Sequence, residues 1–286
     1  MRAFIRNILL CVILAAVCCS CDNDFMPYDR NEMIVEGWID AGGFPVVIVT
    51  RSLPVRLKGE AILLDDLADY VLRWAKVTVS DGDTSVILTG GANSRYVPGF
   101  IYTTGGLKGV AGKSYSLTVE MRGSVAAAVT TIPLFPPSVD SVVYHPLPND
   151  DQNYEVTAFV RNNSERKEYF KSFYMIGPEE RQYLSSFMGV VDDAVTDSVF
   201  SMPIIRGVTD LDKVDKNRYF PKDTLVRIKI SSMDSVSYEI WKSYEDNARF
   251  GSSFMSSSIR EVESNIRGGR GYWCGYNSFT TGFRTD

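Results

Sequence analysis

Short segments in which apolar and polar residues alternate are the feature that most constrains the fold of this chain. The clearest is SYSLTVEM, Ser114 to Met121, where every second residue is aromatic, aliphatic or methionine. Successive side chains of a β-strand point to opposite faces, so this pattern predicts a strand with one buried face. Val77 and Val79 precede Asp81-Gly82, a pair that favours a two-residue hairpin turn because glycine accepts a positive φ.

The same reasoning predicts seven strands in about 105 residues, a number typical of an immunoglobulin-like sandwich. The other predicted segments are Met33 to Ile39, Pro45 to Arg51, Val86 to Leu88, Tyr96 to Tyr102 and Val125 to Ile132. Leu63 to Trp74 carries apolar residues at helical spacing, which predicts a short amphipathic helix between the second and third strands. We therefore predict an immunoglobulin-like β-sandwich over residues 32–132, interrupted by that helix.

The second half of the chain has strand patterns followed by one helix. The predicted strands are Tyr154 to Val160, Phe170 to Ile176, Val199 to Ile205 and Val226 to Ile230. After them Val236, Ile240, Tyr244 and Ala248 recur every fourth residue, with Asp234 placed to cap a helix. The prediction for residues 139–286 is a second β-rich domain packed with one α-helix near residues 234–248.

Three prolines mark a boundary between these halves. Pro133, Pro136 and Pro137 lie together in the stretch TIPLFPPSV. Proline cannot donate to a sheet ladder, and a proline-rich stretch forms a semi-rigid extended connection. The length of 286 residues fits about two domains. We predict a proline-rich linker at residues 133–138 between two mainly β domains.

The amino terminus predicts export and lipid attachment. Two arginines precede the apolar run Ile8 to Val17, which is the pattern of a secretory signal peptide and is too short for a spanning helix. Ser20 directly before Cys21 resembles the lipobox of bacterial lipoproteins, in which the cysteine after the cut carries the lipid. We expect a signal peptide at residues 1–20, lipidation of Cys21 and a tether at residues 21–31.

The residues after Cys21 bear on the membrane to which the protein is anchored. Asp22 to Asp24 resembles the acidic export signals with which Bacteroidota send lipoproteins to the outer face of the outer membrane. A solvated tether explains the same acidic residues equally well. The prediction is a lipid-anchored protein of the outer membrane, with its surface-exposed or periplasmic placement left open.

Cysteine usage and charge exclude several classes of protein. With the signal peptide removed and Cys21 lipidated, only Cys274 remains of the five cysteines, so no intramolecular disulfide is expected. The formal net charge is −5, and the signal peptide takes away two arginines and no acids, so the mature chain is more acidic still. This balance argues against nucleic-acid binding and against a polybasic membrane contact.

The sequence contains no recognisable catalytic or metal-binding pattern. His145 is the one histidine, and it stands beside a proline without the nucleophile and acid that a catalytic role needs. Asp210, Asp212 and Asp215 have the spacing of oxygen ligands, but Pro221 stands where an EF-hand loop needs its glutamate. We therefore predict a non-enzymatic protein with no metal and no cofactor.

The segment Glu263 to Phe279, ESNIRGGRGYWCGYNSF, is rich in glycine and aromatic residues. Its glycines fit neither the Walker spacing nor the dinucleotide-binding spacing, and no helix pattern follows them. Tyr272, Trp273 and Tyr276 are the candidate ligand or partner contacts, since aromatic rings stack on planar ligands. The alternative is packing of a final strand, the commoner role of such residues, with the glycines letting the backbone turn before it.

This segment also resembles the carboxy-terminal signature of a Bacteroidota lipoprotein family, domain of unknown function 4249, whose members end in Asn-Ile-x-Gly-Gly-x-Gly-aromatic. The stretches MIVEGWIDAGGFPVVIVTRSLP and YFPKDTLVRIKISSMDSVSYEIWKSYE are similar to other parts of that family. Arg270 and Cys274 depart from the residues expected at their positions. The resemblance implies a cell-envelope lipoprotein, often encoded beside TonB-dependent transporters, with no established activity.

The expected function follows from the predicted outer-membrane location and from the family resemblance. It is a non-enzymatic accessory protein that binds a ligand or docks on a TonB-dependent outer-membrane transporter. A structural surface protein, such as a fimbrial-type subunit, is the alternative, since such subunits are also β-sandwich lipoproteins. A glycan or peptide hydrolase is a third class, against which the missing acid and base constellation argues.

Overall fold

A computed structural model describes residues 32–52, 67–163, 166–178, 182–192, 198–207, 218–250 and 262–286, and this part of the chain is built from β-strands and one α-helix. The strands of the first half are β1 (Met33–Asp40), β2 (Val46–Arg51), β3 (Lys76–Ser80), β4 (Ser85–Ala92), β5 (Phe100–Thr103), β6 (Ser114–Met121) and β7 (Ser124–Thr131). Those of the second half are β8 (Val139–Leu147), β9 (Asp150–Arg161), β10 (Tyr169–Ile176), β11 (Leu184–Asp192), β12 (Val199–Ile204), β13 (Phe220–Pro221), β14 (Leu225–Ser232) and β15 (Arg270–Arg284). Helix α1 spans Ser235–Phe250, and the mainly β prediction is confirmed.

The strands form two sheets. Eleven of them lie in one sheet, in the order β11-β10-β14-β15-β1-β2-β5-β4-β3-β6-β7. In the second sheet β9 pairs with β8, β12 and β13. The immunoglobulin-like arrangement of residues 32–132 stays a prediction.

The last strand, β15, joins the two halves of the chain. Its first part runs parallel to β1, with Ile34 beside Arg270 and Asp40 beside Tyr276. Its second part runs antiparallel to β14, from Ser232 beside Asn277 to Leu225 beside Arg284. One continuous sheet therefore contains strands from both sides of the proline-rich stretch, while the domain boundary at residues 133–138 stays a prediction.

The two largest apolar cores of the described residues lie on the sheets. The first is enclosed by β1, β2, β3, β6, β7 and part of β15, with Val35, Tyr115 and Trp273 among its fully buried residues. The large sheet curls around this core, since Gly275 N of β15 donates to Thr130 Oγ1 of β7 at 2.8 Å. The second core lies between β9 and β12 on one side and β10 and β14 on the other. Burial of these apolar surfaces is the main source of stability in a chain whose one cysteine in the described residues, Cys274, is free.

Glycines allow the carboxy-terminal segment to reach its place beside β1 and β7. Gly268 has φ +79°, and a Cβ there would lie 2.2 Å from the carbonyl oxygen of Val125. Gly271 has φ +114°, and a Cβ there would lie 2.0 Å from the carbonyl oxygen of Val35. A side chain at either position would strain the backbone and clash with a neighbouring strand. The expected glycine turn before an aromatic strand is thus present.

The strand predictions agree with the structure where alternation is clear. The segment Ser114 to Met121 coincides with β6, whereas the prediction for Tyr96 to Tyr102 is too long, because β5 begins at Phe100. Strands β8 and β11 were not predicted, since their apolar residues do not alternate regularly. Residues 63–66 of the helix predicted between β2 and β3 lie outside the described residues, and the described part contains a 3₁₀ turn at Ala68–Tyr70.

Helix α1 is present as predicted, and its packing on the sheet decides which of its side chains are buried. Its amino terminus is capped as expected, since Ser237 N donates to Asp234 Oδ1 at 2.8 Å. Of the apolar residues four apart, Ile240 is buried, whereas Val236 and Tyr244 are 50% and 53% exposed. The helix also buries Tyr238 and Glu245, because the sheet beneath it offers aromatic rings and the ammonium group of Lys171 as partners.

Candidate functional site

Strand β15 directs its aromatic side chains to opposite faces of the sheet. Trp273 is fully buried in the first core, where its Nε1–H donates to the carbonyl oxygen of Tyr115 at 2.9 Å. Tyr272 and Tyr276 point the other way, toward α1. Of the three candidate contacts named from the sequence, two therefore lie together on one face. Trp273 belongs to the core and is not part of the candidate site.

Strand β1 adds polar and aromatic side chains to the Tyr272 face. Alternate residues of MIVEGWID are buried in the core, so Glu36, Trp38 and Asp40 point to the other face. The parallel pairing with β15 places Glu36 beside Tyr272 and Asp40 beside Tyr276. The two strands together present carboxylates and rings side by side.

Helix α1 covers this face with a further pair of rings. The Trp241 Nε1–H donates to the Tyr276 hydroxyl oxygen at 2.7 Å. The Trp241 ring centroid lies 5.4 Å from that of Tyr272 and 5.9 Å from that of Tyr244. Aromatic pairs at such separations are attractive beyond the area they bury. The rings of α1 and β15 therefore form one connected aromatic cluster.

Buried polar contacts hold α1 in position. Lys171 Nζ of β10 lies 2.7 Å from Glu245 Oε1, and Gly189 N donates to the same oxygen at 2.8 Å. Burial lowers the pKa of Lys171, and the adjacent Glu245 carboxylate opposes that shift. At the start of the helix Asp234 Oδ2 accepts from Thr131 N of β7 at 3.0 Å. The helix is thus fixed to both ends of the large sheet.

A cavity of ≈ 780 Å³ lies between α1 and the strands beneath it. Its aromatic lining includes Trp38, Tyr96, Tyr183, Trp241, Tyr272 and Tyr276. Its polar lining includes Glu36, Asp40, Gln182, Lys229, Glu263 and Arg270. Small-molecule sites in proteins have this size and this combination of apolar walls with a few polar groups.

One end of the cavity contains an ion pair. Lys229 Nζ lies 2.6 Å from Asp40 Oδ1, which also accepts from Ser278 Oγ at 3.0 Å. The same ammonium group lies 5.5 Å from the centroid of the Phe173 ring and 5.3 Å from that of Tyr276. The Lys229 ammonium group therefore makes an ion pair with a carboxylate and cation–π contacts with two aromatic rings.

Glu36 is a carboxyl group in a different situation. Burial raises the pKa of Glu36 above its usual value, because the surrounding protein disfavours the charged form. Within the part of the chain that the structure describes, no ion pair and no hydrogen bond is made by this carboxylate. The neighbouring Tyr272 stays protonated, since burial raises the pKa of its phenol well above the ordinary value. Glu36 is therefore an acid in the cavity wall with no compensating group among the described residues.

Cys274 lies between the two tyrosines on the same face of β15 but does not line the cavity. It is fully buried, and burial raises the pKa of its thiol to about 12. A thiol is nucleophilic as the thiolate, so Cys274 is an apolar packing residue here. The departure from the family pattern at this position therefore adds no reactive group.

The other residues considered from the sequence do not join this site. His145 is exposed on β8. Cys21, Asp210, Asp212 and Asp215 lie outside the described residues. Across the described ranges no group of three or more His, Cys, Asp or Glu side chains is placed to hold a metal ion. In the same ranges none of the helices has both the length and the apolar character needed to cross a membrane.

Several residues of the site were missed by sequence reasoning. The alternation in MIVEGWID predicted a strand, but Glu36, Trp38 and Asp40 were not singled out as site residues. The available signal was an acidic residue and a tryptophan on the face opposite to the aliphatic residues. Lys229 and Trp241 gave no local signal, because their partners lie on distant parts of the chain.

The fold and the site define a mainly β protein with an aromatic cavity built on its last strand. The model of a protein family described as Domain of unknown function (DUF4249) matches residues 22–281, and the chain belongs to this family. No curated protein matches the sequence. The family description assigns no activity, so the function has to be argued from the site itself.

Proposed function

We propose that this protein is a non-enzymatic binding protein of the bacterial cell envelope, and that its ligand occupies the cavity between α1 and the large sheet. The observation that carries the proposal is the cavity itself, with a volume of ≈ 780 Å³ and walls of aromatic rings around a few charged groups. Folded proteins normally bury apolar surface of this kind. Where a large apolar pocket stays accessible, it commonly forms a ligand-binding site.

The arrangement of acids favours binding over hydrolysis. Glu36 and Asp40 are the carboxylates that β1 presents to the cavity. They are four residues apart on one face of a strand, which separates their Cα atoms by about 13 Å. The paired carboxyl groups of glycosidases are about 5–9.5 Å apart. In addition, Asp40 is already engaged by Lys229.

Binding is tested by thermal denaturation of the purified protein with a library of sugars, amino acids, amines and short peptides. A ligand that binds only the folded state raises the melting temperature, and the shift grows with the logarithm of the ligand concentration divided by its dissociation constant. The variant Tyr244→Ala removes an exposed ring from the cavity wall and is expected to reduce the shift. Tyr219→Ala, an exposed tyrosine outside the cavity lining, is the matched control. Library-wide failure to shift the melting temperature would contradict the proposal.

We further propose that the protein is anchored to the outer membrane through lipidated Cys21. The support is the signal peptide and the lipobox-like Ser20-Cys21 pair in the sequence. Growth with radioactive palmitate is expected to label the protein, and Cys21→Ser is expected to abolish both the label and the recovery of the protein with outer membranes. A labelled Cys21→Ser variant would show that the anchor is elsewhere.

The family resemblance supports association with a TonB-dependent transporter, to which the protein would deliver a ligand or on which it would dock. Co-purification after mild detergent extraction, from cells making both proteins at native levels, is the test. Recovery of the protein without any transporter would argue against docking while leaving ligand binding intact.

A structural surface role is the second candidate. An immunoglobulin-like arrangement of residues 32–132 would favour it, since fimbrial subunits are β-sandwich proteins. Electron microscopy of expressing cells separates the two proposals. Filaments that disappear when the protein is deleted would support the structural role.

A further inference from the structure

The cavity lining contains more acidic than basic side chains. Its charged lining consists of Glu36, Asp40, Lys229, Glu263 and Arg270. Both basic residues already have acidic partners. Lys229 Nζ lies 2.6 Å from Asp40 Oδ1, and Arg270 Nε lies 3.2 Å from Oε2 of Glu32, a residue that does not line the cavity. Over the described ranges neither Glu36 nor Glu263 takes part in an ion pair. The charge left without a partner in the lining is therefore negative.

Aromatic rings surround the more enclosed of these two acids. Tyr272 lies beside Glu36 in the pairing of β15 with β1. The Trp241 ring is 5.4 Å from the Tyr272 ring and tilted by 46° to it, and the Tyr244 ring is 5.9 Å from Trp241 at 83°. The faces of aromatic rings carry negative electrostatic potential. The Glu36 carboxylate and several ring faces thus create a negative electrostatic potential at one end of the cavity.

We propose that this end of the cavity binds the cationic group of an organic ligand, an ammonium or a guanidinium. This inference rests on the proposed function and specifies its ligand chemistry. A cation placed there pairs with the Glu36 carboxylate and contacts the faces of Trp241, Tyr244 or Tyr272, which are the two recognised ways of holding an organic cation in a protein.

Other ligand chemistries fit this end less well. A neutral ligand, such as an unmodified sugar, leaves the Glu36 charge without a counter-charge in a partly dehydrated wall, which is costly. An anionic ligand meets repulsion from both Glu36 and Glu263. The Asp40–Lys229 pair, at the other end, is neutral overall and offers hydrogen-bonding atoms for the polar remainder of the ligand.

The test uses probe pairs that share a shape and differ in charge. Choline is compared with 3,3-dimethylbutan-1-ol, and glucosamine with glucose, by ligand-observed NMR titration of the full chain in detergent. The cation of at least one pair is expected to bind about tenfold more tightly than its neutral counterpart. Glu36→Gln is expected to remove that preference and to leave binding of the neutral compound unchanged. Glu120→Gln, an exposed acid on β6, is the control and should keep the preference.

The outcomes separate this inference from the proposed function. Equal binding within both pairs, or a preference for the cation that survives Glu36→Gln, overturns the cationic ligand while leaving a binding cavity in place. Lack of binding by all four probes also overturns it, and the library experiment above, which contains neutral and anionic compounds, then decides separately whether the cavity binds any ligand. Loss of the cation preference in Glu36→Gln alone supports the inference.

Discussion

Trp273 and Tyr272 are consecutive residues with opposite roles, and alanine substitutions should separate them. Trp273→Ala removes a fully buried indole and the hydrogen bond that it donates to Tyr115 O. Truncation of a buried aromatic residue costs about 3–5 kcal/mol. The indole ring packs tightly against β1, because a Cβ at Gly37 would lie only 2.8 Å from Trp273 Cε3. Total stabilities are about 5–15 kcal/mol, so the variant should lose a large fraction of its free energy of unfolding.

Tyr272→Ala is expected to be milder. The tyrosine lies at the cavity wall, is partly exposed, and contacts the Trp241 ring at 5.4 Å. Loss of a partly exposed side chain and of one ring pair corresponds to about 1–2 kcal/mol. The two neighbouring substitutions should therefore differ by about 1–4 kcal/mol, although tyrosine and tryptophan are both large aromatic residues.

Urea denaturation followed by circular dichroism measures both free energies of unfolding, provided that the slopes agree between variants. Trp74→Ala is the control, since Trp74 is 87% exposed and its removal is expected to change stability by less than about 0.5 kcal/mol. If Tyr272→Ala destabilises the protein as much as Trp273→Ala, the assignment of the two rings to core and cavity is wrong.

Three further predictions concern the groups around the cavity. Cys274, with a thiol pKa of about 12, should resist iodoacetamide in the native protein and react after denaturation; labelling of the native protein, detected by peptide mass spectrometry, would contradict its burial. Glu245→Gln leaves the buried Lys171 charge without a counter-charge and should cost about 3 kcal/mol in urea denaturation, whereas pairing it with Lys171→Met should recover part of the loss. Glu36 has a raised pKa in the folded state, so its ionisation costs no stability below the unfolded pKa, costs more as the pH rises toward the folded pKa, and has its full effect above it. Glu36→Gln should therefore stabilise the protein relative to wild type more at about pH 7.5 than at about pH 4, and an equal difference at both would refute the shift.

The local sequence pattern was sufficient to predict a strand or a helix end where the structure depends only on residues a few positions apart. The alternation in Ser114 to Met121 predicted β6, and the cap at Asp234 predicted the start of α1, because each depends on residues a few positions away. The buried face of α1 was not predicted, and of the residues four apart Ile240 is buried while Val236 and Tyr244 are exposed. An apolar repeat such as Val236 to Ala248 does not reveal that Glu245 will be matched by a lysine on β10.

The site itself divides along the same line. Two of its aromatic residues, Tyr272 and Tyr276, could be named from composition, and the third candidate, Trp273, could not be distinguished from them without knowing which face of β15 each side chain occupies. Glu36 and Lys229 became site residues only when β15 brought β1 and β14 together.

The sequence by itself determined the strand-rich character of the chain, the capped helix, the glycine turn into the last strand and the expectation of an anchor at Cys21. These follow from periodicities of two and four residues and from short motifs, which act over a few positions. Only the tertiary structure decided that β15 pairs with strands from both halves and that an unpaired acid lies among rings. Strand pairing and burial depend on residues more than two hundred positions apart, such as Asp40 and Ser278, which a local pattern does not contain.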